Sequence, residues 1–310
     1  AFILPAIANE LFSGTWKFIG VRRGWLGPRI TARPSWALWR EMLVEAVPLS
    51  IGLAMVTLLS KIDVLMIAHL DNFNAVGLYS VAYKFADLVS YAVLAVLAPV
   101  ATLLVAAWPM FHDEFRRRAR SAAMTVGLLS CVAVCGMWAS ADRIVALLYG
   151  ERFAESAAAT RMLLVGAVFA ALSQFLLVTL VSAGRQRSYP WVAIGALGLN
   201  VVLNFVLIPR YSFTGSAFAT VVTEFCMFVA MWILLVRTVE IRRLLPAGRL
   251  AIMAGLTTAV CAATGLLHAV APWPVATAAA VVLFVGGAFA LRLVDPRTLV
   301  AKASRREGTP

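Results

Sequence analysis

Charge is scarce in this chain. Of its 310 residues only 14% are Asp, Glu, Lys or Arg, and acids number 15 against 27 bases. Hydrophobic residues make up 62%, and the mean hydropathy is +0.88. This composition excludes an ordinary soluble domain. Ten-residue segments of alternating polarity are also missing, which excludes a transmembrane barrel. Histidine is rare, and His69, His112 and His268 lie far apart at helix ends, so no metal site is expected. The four cysteines, Cys131, Cys135, Cys226 and Cys261, fall inside apolar runs, where cysteine packs as a small hydrophobe. No cofactor is implied. No initiator Met and no n-region precede the first apolar run, so no signal peptide is visible. The chain opens mid-pattern with "AFILPAIANELFSG", which reads as an N-terminally truncated fragment.

What the chain does have is long apolar runs. Nine are expected, over 2–21, 47–70, 76–110, 120–141, 158–183, 189–208, 213–236, 250–271 and 274–292. The fold class is therefore all-α, a polytopic membrane helix bundle of about nine transmembrane helices. The third run is too long for one straight span, and Pro99 and Pro109 are expected to end or kink it. Alternate loops hold five, four, two, four and five cations, against none, two, one and none in the others. By the positive-inside rule the basic loops and the C-terminus are cytoplasmic. Because the cations follow topology rather than one face, a nucleic-acid partner is not expected. Residues 34–48, "PSWALWREMLVEAVP", place Trp36, Trp39, Leu43 and Ala46 near one face. This is either an interfacial amphipathic helix linking two lobes or an extended entry to the next span.

Ionisable residues inside spans are functional candidates. They are Glu10, Lys17, Lys61, Asp63, Lys84, Asp87 and Glu224, with Arg161 set aside as able to snorkel. Segments two and three form a hairpin around "DNFN". With the turn centred on residue 73, Asp63 falls opposite Lys84 and Lys61 opposite Asp87. Lys84 and Asp87 share a helix face. Lys61 and Asp63 stand about 200° apart, so only one of them can face segment three. The quartet either locks the hairpin as a buried pair or lines an interior cavity. Tyr79, Tyr83, Asp87 and Tyr91 recur every four residues, a stripe suited to a cavity wall or a helix interface. Asn200, Asn204, Ser216, Thr220, Thr223 and Glu224 are polar positions of the kind that join membrane helices.

Three stretches carry a family resemblance. "VLMIAHLDNFNAVGLYSVAYKFADLV" resembles the seventh-to-eighth-helix hairpin of polysaccharide flippases. "LLYGERFAESAAATRMLLVG" resembles their turn before the tenth helix. "SAGRQRSYPWVAIGALGLNVVLNFVLIPRYSFTGSAFATVVTE" resembles their C-terminal half. These flippases belong to the multidrug/oligosaccharidyl-lipid/polysaccharide exporter superfamily, and the resemblance covers roughly residues 45–240. It implies a two-lobe transporter of the bacterial plasma membrane. The lobes would rock about a cavity holding a lipid-linked sugar pyrophosphate. On that reading residues 1–21 are the last helix of a truncated N-lobe and 22–46 a cytoplasmic interfacial linker. Residues 47–236 are a six-helix C-lobe, and 237–310 add two spans and a basic tail. The implied partners are the lipid-linked oligosaccharide, the bilayer and the missing N-terminal lobe of the same chain. Lys84 stands where lipid II flippases carry a cavity-facing cation. Ser212 stands where the family usually has Gly. The expected substrate-handling residues are Lys61, Asp63, Tyr83, Lys84, Asp87 and Glu224. Two rivals remain. One is a multidrug cation antiporter of the same superfamily, working through Asp63, Asp87 and Glu224. The other is an integral membrane enzyme acting on polyprenyl-linked sugars, for which the one roomy loop, 142–157, offers Asp142, Glu151 and Glu155 but no nucleophile–base set.

Overall fold

The computed structural model describes residues 3–25, 35–239, 246–267 and 272–293. His268 and the basic tail from Arg297 lie outside them, as do Arg29 and Arg33 of the linker and the side chain of Glu10. The described residues contain helices and no strand.

The chain divides into two compact units, Ala1–Ala46 and Val47–Pro310. The first holds α1 (Ile3–Arg22), which ends in a turn at Gly24 with φ 77°, and the opening turns of α2 (Trp36–Leu70). Trp36, Trp39 and Leu43 are exposed there. The segment 36–46 is thus continuous with the following span, and α2 runs on through Pro48.

The second unit continues α2 and adds α3 (Phe73–Ala107), α4 (His112–Trp138), α5 (Ala141–Tyr149), α6 (Ser156–Ser182), α7 (Tyr189–Thr238), α8 (Ala247–Leu267) and α9 (Trp273–Ala290). Helix α6 is the centre, packed against α3, α4 and α7. Its sequence explains this position. Ala157, Ala159, Gly166, Ala167 and Ala171 are small and buried, so neighbours come close, while Leu163, Leu164, Phe175, Leu176 and Leu180 fill the spaces between them. Helices α8 and α9 pack on each other and on α4.

Three breaks set the topology. The α2–α3 turn is only Asp71 and Asn72, and the Asn72 side chain caps α3 by accepting from Ala75 N–H at 2.9 Å. Helix α3 passes through Pro99 and ends at Ala107, because the residue before Pro109 is pushed to extended backbone and Trp108 adopts φ −91°, ψ 141°. Pro109, not Pro99, therefore ends the third run. Helix α7 breaks at Ser212 (φ 55°, ψ −143°) into two arms, the sixth and seventh apolar runs. The break is tight: a Cβ on Gly215 would stand 2.5 Å from the Leu207 carbonyl oxygen, so only glycine fits.

Seven stretches among the described residues are long and apolar enough to cross a bilayer. One of them, Gln186–Thr238, contains both arms of α7, and α1 is not among the seven.

Candidate functional site: a buried carboxylate nest beside a lysine pair

Asp63 is the centre of the site. It is 1% exposed and lies two turns before the C-terminal end of α2. Its Oδ2 accepts from the Tyr79 hydroxyl at 2.6 Å and from the Thr220 hydroxyl at 2.7 Å. Its Oδ1 accepts from Asn204 Nδ2 at 2.7 Å, and the same amide donates to Asn200 Oδ1 at 2.9 Å. Three helices thus converge on one carboxylate. Counting residues explains why. Asn204 and Thr220 stand at equal distances on either side of Ser212, so the fold-back brings both arms of α7 to one depth. Asp63 and Tyr79 stand at nearly equal distances from the Asp71–Asn72 turn. All four lie about 10–13 Å along the helices from those turns. The two turns are also tied together, since the Ser212 hydroxyl donates to Asp71.

This arrangement decides against the alternative of a buried ion pair locking the hairpin. Neither Asp63–Lys84 nor Lys61–Asp87 forms one. The ion pairs among the described residues are Arg116–Asp113, Arg117–Glu114, Arg118–Glu114 and Arg161–Asp142. The reason is the turn. Its centre lies between residues 71 and 72 rather than at 73, which slides α3 by about one helical turn against α2. Tyr79 then takes the place opposite Asp63 that Lys84 was expected to fill. Arg161, set aside as free to snorkel, is a tie between helices: its Nε donates to the Trp138 carbonyl at 2.7 Å and its guanidinium pairs with Asp142 at 2.6 Å.

The two charged residues of α2 part company as their angular separation requires. Asp63 turns into the bundle and Lys61 turns out, exposed. Lys84 on α3 is also exposed, and Asp87 beside it is half-buried. Both lysines lie within electrostatic reach of Asp87. The tyrosine stripe grades along α3, from fully buried Tyr79 through half-buried Tyr83 to exposed Tyr91. The rings of Tyr79 and Tyr83 meet at 5.8 Å between centroids. Tyr83 lies within electrostatic reach of Asp63, Glu224 and Asp87, and Glu224 within reach of Asp63. Of the six expected residues, Asp63 is the one at the centre of the hydrogen-bonded nest, while Lys61 and Lys84 are exposed and Tyr83, Asp87 and Glu224 are partly buried. Tyr79, read from sequence as part of a cavity wall or helix interface, and Asn204 and Thr220, read as polar positions that join helices, are the direct partners of Asp63. Measuring depth from residue 212 as well as from the 71–72 turn would have found them.

Among the described residues no group of three or more His, Cys, Asp or Glu side chains could hold a metal ion. Asn200 Nδ2, Asn204 Oδ1, Ser216 Oγ and Thr223 Oγ1 are buried polar atoms with no hydrogen-bond partner among the described residues.

A bundle of long apolar helices closed around a hydrogen-bonded carboxylate is that of a polytopic membrane protein. Residues 15–158 match the sequence model of a family described as polysaccharide biosynthesis protein. The multidrug resistance protein NorM of Burkholderia vietnamiensis is 41% identical over 78 residues, which are 21% of this chain and 17% of that protein. The aligned part thus spans less than a fifth of that relative. Both findings support a likeness to the polysaccharide and multidrug exporter superfamily. No solved structure matches. The family match takes in α2, α3 and the Lys61–Asp87 region and ends at the start of α6. The arms of α7, with Asn204, Thr220 and Glu224, lie beyond it.

Proposed function

We propose that this chain is the C-terminal lobe of a flippase for polyprenyl-pyrophosphate-linked oligosaccharide, acting by alternating access in a bacterial plasma membrane with its C-terminus cytoplasmic. The observation that carries this reading is the lysine pair. Lys61 and Lys84 lie within spans, are exposed on the bundle and form no ion pair among the described residues. An ammonium facing hydrocarbon costs several kcal/mol, so this face belongs against a polar cavity rather than lipid. A pyrophosphate is a suitable occupant, because a lysine in a low-dielectric setting binds phosphate oxygens through charge-assisted hydrogen bonds. Asp87, within reach of both lysines, would compete with the phosphate and keep the grip reversible. Rocking of this lobe against the other would carry the headgroup across. The test is to neutralise Lys61 and Lys84 singly, to Gln, in the full-length protein and measure surface polysaccharide. At least one change is expected to abolish export, and normal export from both would sink the reading.

One observation favours a second reading. Asp63 is buried, accepts three hydrogen bonds and has no cationic partner among the described residues. A buried carboxylate without a cation suits a site that takes up a proton or a small cation. That supports a cation-coupled antiporter working through Asp63, Glu224 and Asp87, in keeping with the relative's description as a multidrug resistance protein. Transport of a cationic dye under an imposed pH gradient separates the two. Efflux lost on Asp63→Asn but kept on Lys84→Gln would favour the antiporter.

A further inference from the structure

Helix α5 has nine residues, too few to cross a bilayer, and takes no part in the Asp63 nest or the lysine pair. At about 100° per residue its side chains fall into three sectors. Ala141 and Val145 are fully buried where α5 packs on α6 and α4. Ile144, Leu147 and Leu148 share one flank, on which Leu147 is 70% and Leu148 62% exposed. Asp142 and Arg143 lie on the roughly opposite flank, and both are exposed. One side of α5 thus belongs to the bundle, and the two flanks left over differ sharply in polarity.

The ends of α5 fix its level in the bundle. At its start, the Ser140 hydroxyl meets Thr277 Oγ1 of α9 at 2.6 Å and donates to the Trp273 carbonyl at 3.4 Å. Trp138 closes α4 and Trp273 opens α9, so two tryptophans stand beside the start of α5. Tryptophan concentrates at the headgroup level of a bilayer. At the other end, the Tyr149 ring meets those of Phe85 at 6.2 Å and Phe153 at 6.4 Å. Phe153 in turn would stand 3.8 Å from a Cβ on Gly77, at the start of the third apolar run. Gly150, with φ 92°, then ends the helix. Both ends of α5 are therefore near one surface of the bundle, where the apolar runs begin.

We propose that α5 is an interfacial helix that lies on the lipid surface at the end of the bundle holding the α2–α3 turn. Its Ile144, Leu147 and Leu148 flank enters the acyl boundary, and its Asp142 and Arg143 flank faces headgroups and water. A bilayer surface is the occupant that fits both flanks at once, because its polarity changes over the width of one helix. An aqueous loop would leave two large leucines in water at the level of the tryptophans. A protein partner would have to cover the leucines and leave the charged flank free. Arg143 stands where a lipid phosphate is within its reach, while Asp142 is held by Arg161. The helix then sets the depth of the α4–α6 corner in the membrane.

The test uses the full chain in nanodiscs of phosphatidylcholine and phosphatidylglycerol. Cys131, Cys135, Cys226 and Cys261 are changed to Ala, and Arg143→Cys, Leu147→Cys or Leu148→Cys supplies one thiol for a nitroxide label. All three positions are exposed, so the label displaces no packed side chain. Spin relaxation is read with molecular oxygen, which partitions into hydrocarbon, and with a water-soluble nickel chelate. Oxygen is expected to act more strongly than nickel at 147 and 148, and nickel more strongly than oxygen at 143. Nickel dominating at 147 and 148 would make α5 an aqueous loop, and neither reagent reaching them would mean that protein covers the flank. Either result overturns the proposal. A second measurement keeps the native cysteines. With p-benzoylphenylalanine in place of Leu147, irradiation in the same nanodiscs is expected to give phospholipid adducts, read by mass, and crosslinks to protein alone would count against the lipid surface.

Discussion

Changing Tyr79 to Phe removes one atom from the Asp63 nest and leaves the ring. That ring is fully buried and rests on Tyr83, so its packing should survive. What is lost is the 2.6 Å hydrogen bond to Oδ2. A hydrogen bond to an ionised group contributes about 1.5–3 kcal/mol. Thr220 remains on the same oxygen at 2.7 Å, so the loss should fall toward the lower end, roughly 1.5 kcal/mol. Tyr83→Phe is the internal control. It deletes the same atom one turn away, from a hydroxyl with no side-chain hydrogen bond in the structure, and should shift stability by less than about 0.5 kcal/mol. Reversible SDS unfolding in bicelles measures both. The double change Tyr79→Phe with Thr220→Val should cost more than the two single losses together, because Oδ2 is then buried with no donor. Equal effects of the two tyrosine changes, or strict additivity with Thr220→Val, would refute the view that Asp63 is held by this nest.

Two further outcomes follow from the break in α7. Ser212 sits at a backbone conformation that favours glycine, at a cost of order 1–3 kcal/mol, offset by its bond to Asp71. Ser212→Gly should therefore unfold at the same temperature or higher, and a melting temperature well below the parent would count against strain at this turn. Gly215→Ala places a methyl against the Leu207 carbonyl and should destabilise by roughly 1–3 kcal/mol in the same unfolding assay. It should also weaken the nest, because Asn204 and Thr220 depend on this turn for their common depth.

Hydropathy is a local property, and the features that depend on it were legible in the sequence. The apolar runs, the turn near residue 72 and the loop before α6 all follow from which side chains tolerate hydrocarbon. So does the requirement that Lys61 and Asp63 face apart, which helix geometry alone imposes. The sequence also singled out the acids and lysines of the cluster, since charge inside a span is costly wherever it sits. Their partners were not legible. A shift of the α2–α3 turn by one and a half residues exchanged Lys84 for Tyr79 opposite Asp63 and turned an expected ion pair into a hydrogen-bonded nest. Asn204 and Thr220 reach Asp63 only because a non-glycine residue folds α7 back on itself. Such pairings depend on helix register to within a single turn. Register is decided by turn geometry and long-range packing, to which a hydropathy pattern is nearly indifferent, so here it was the tertiary structure that chose the partners.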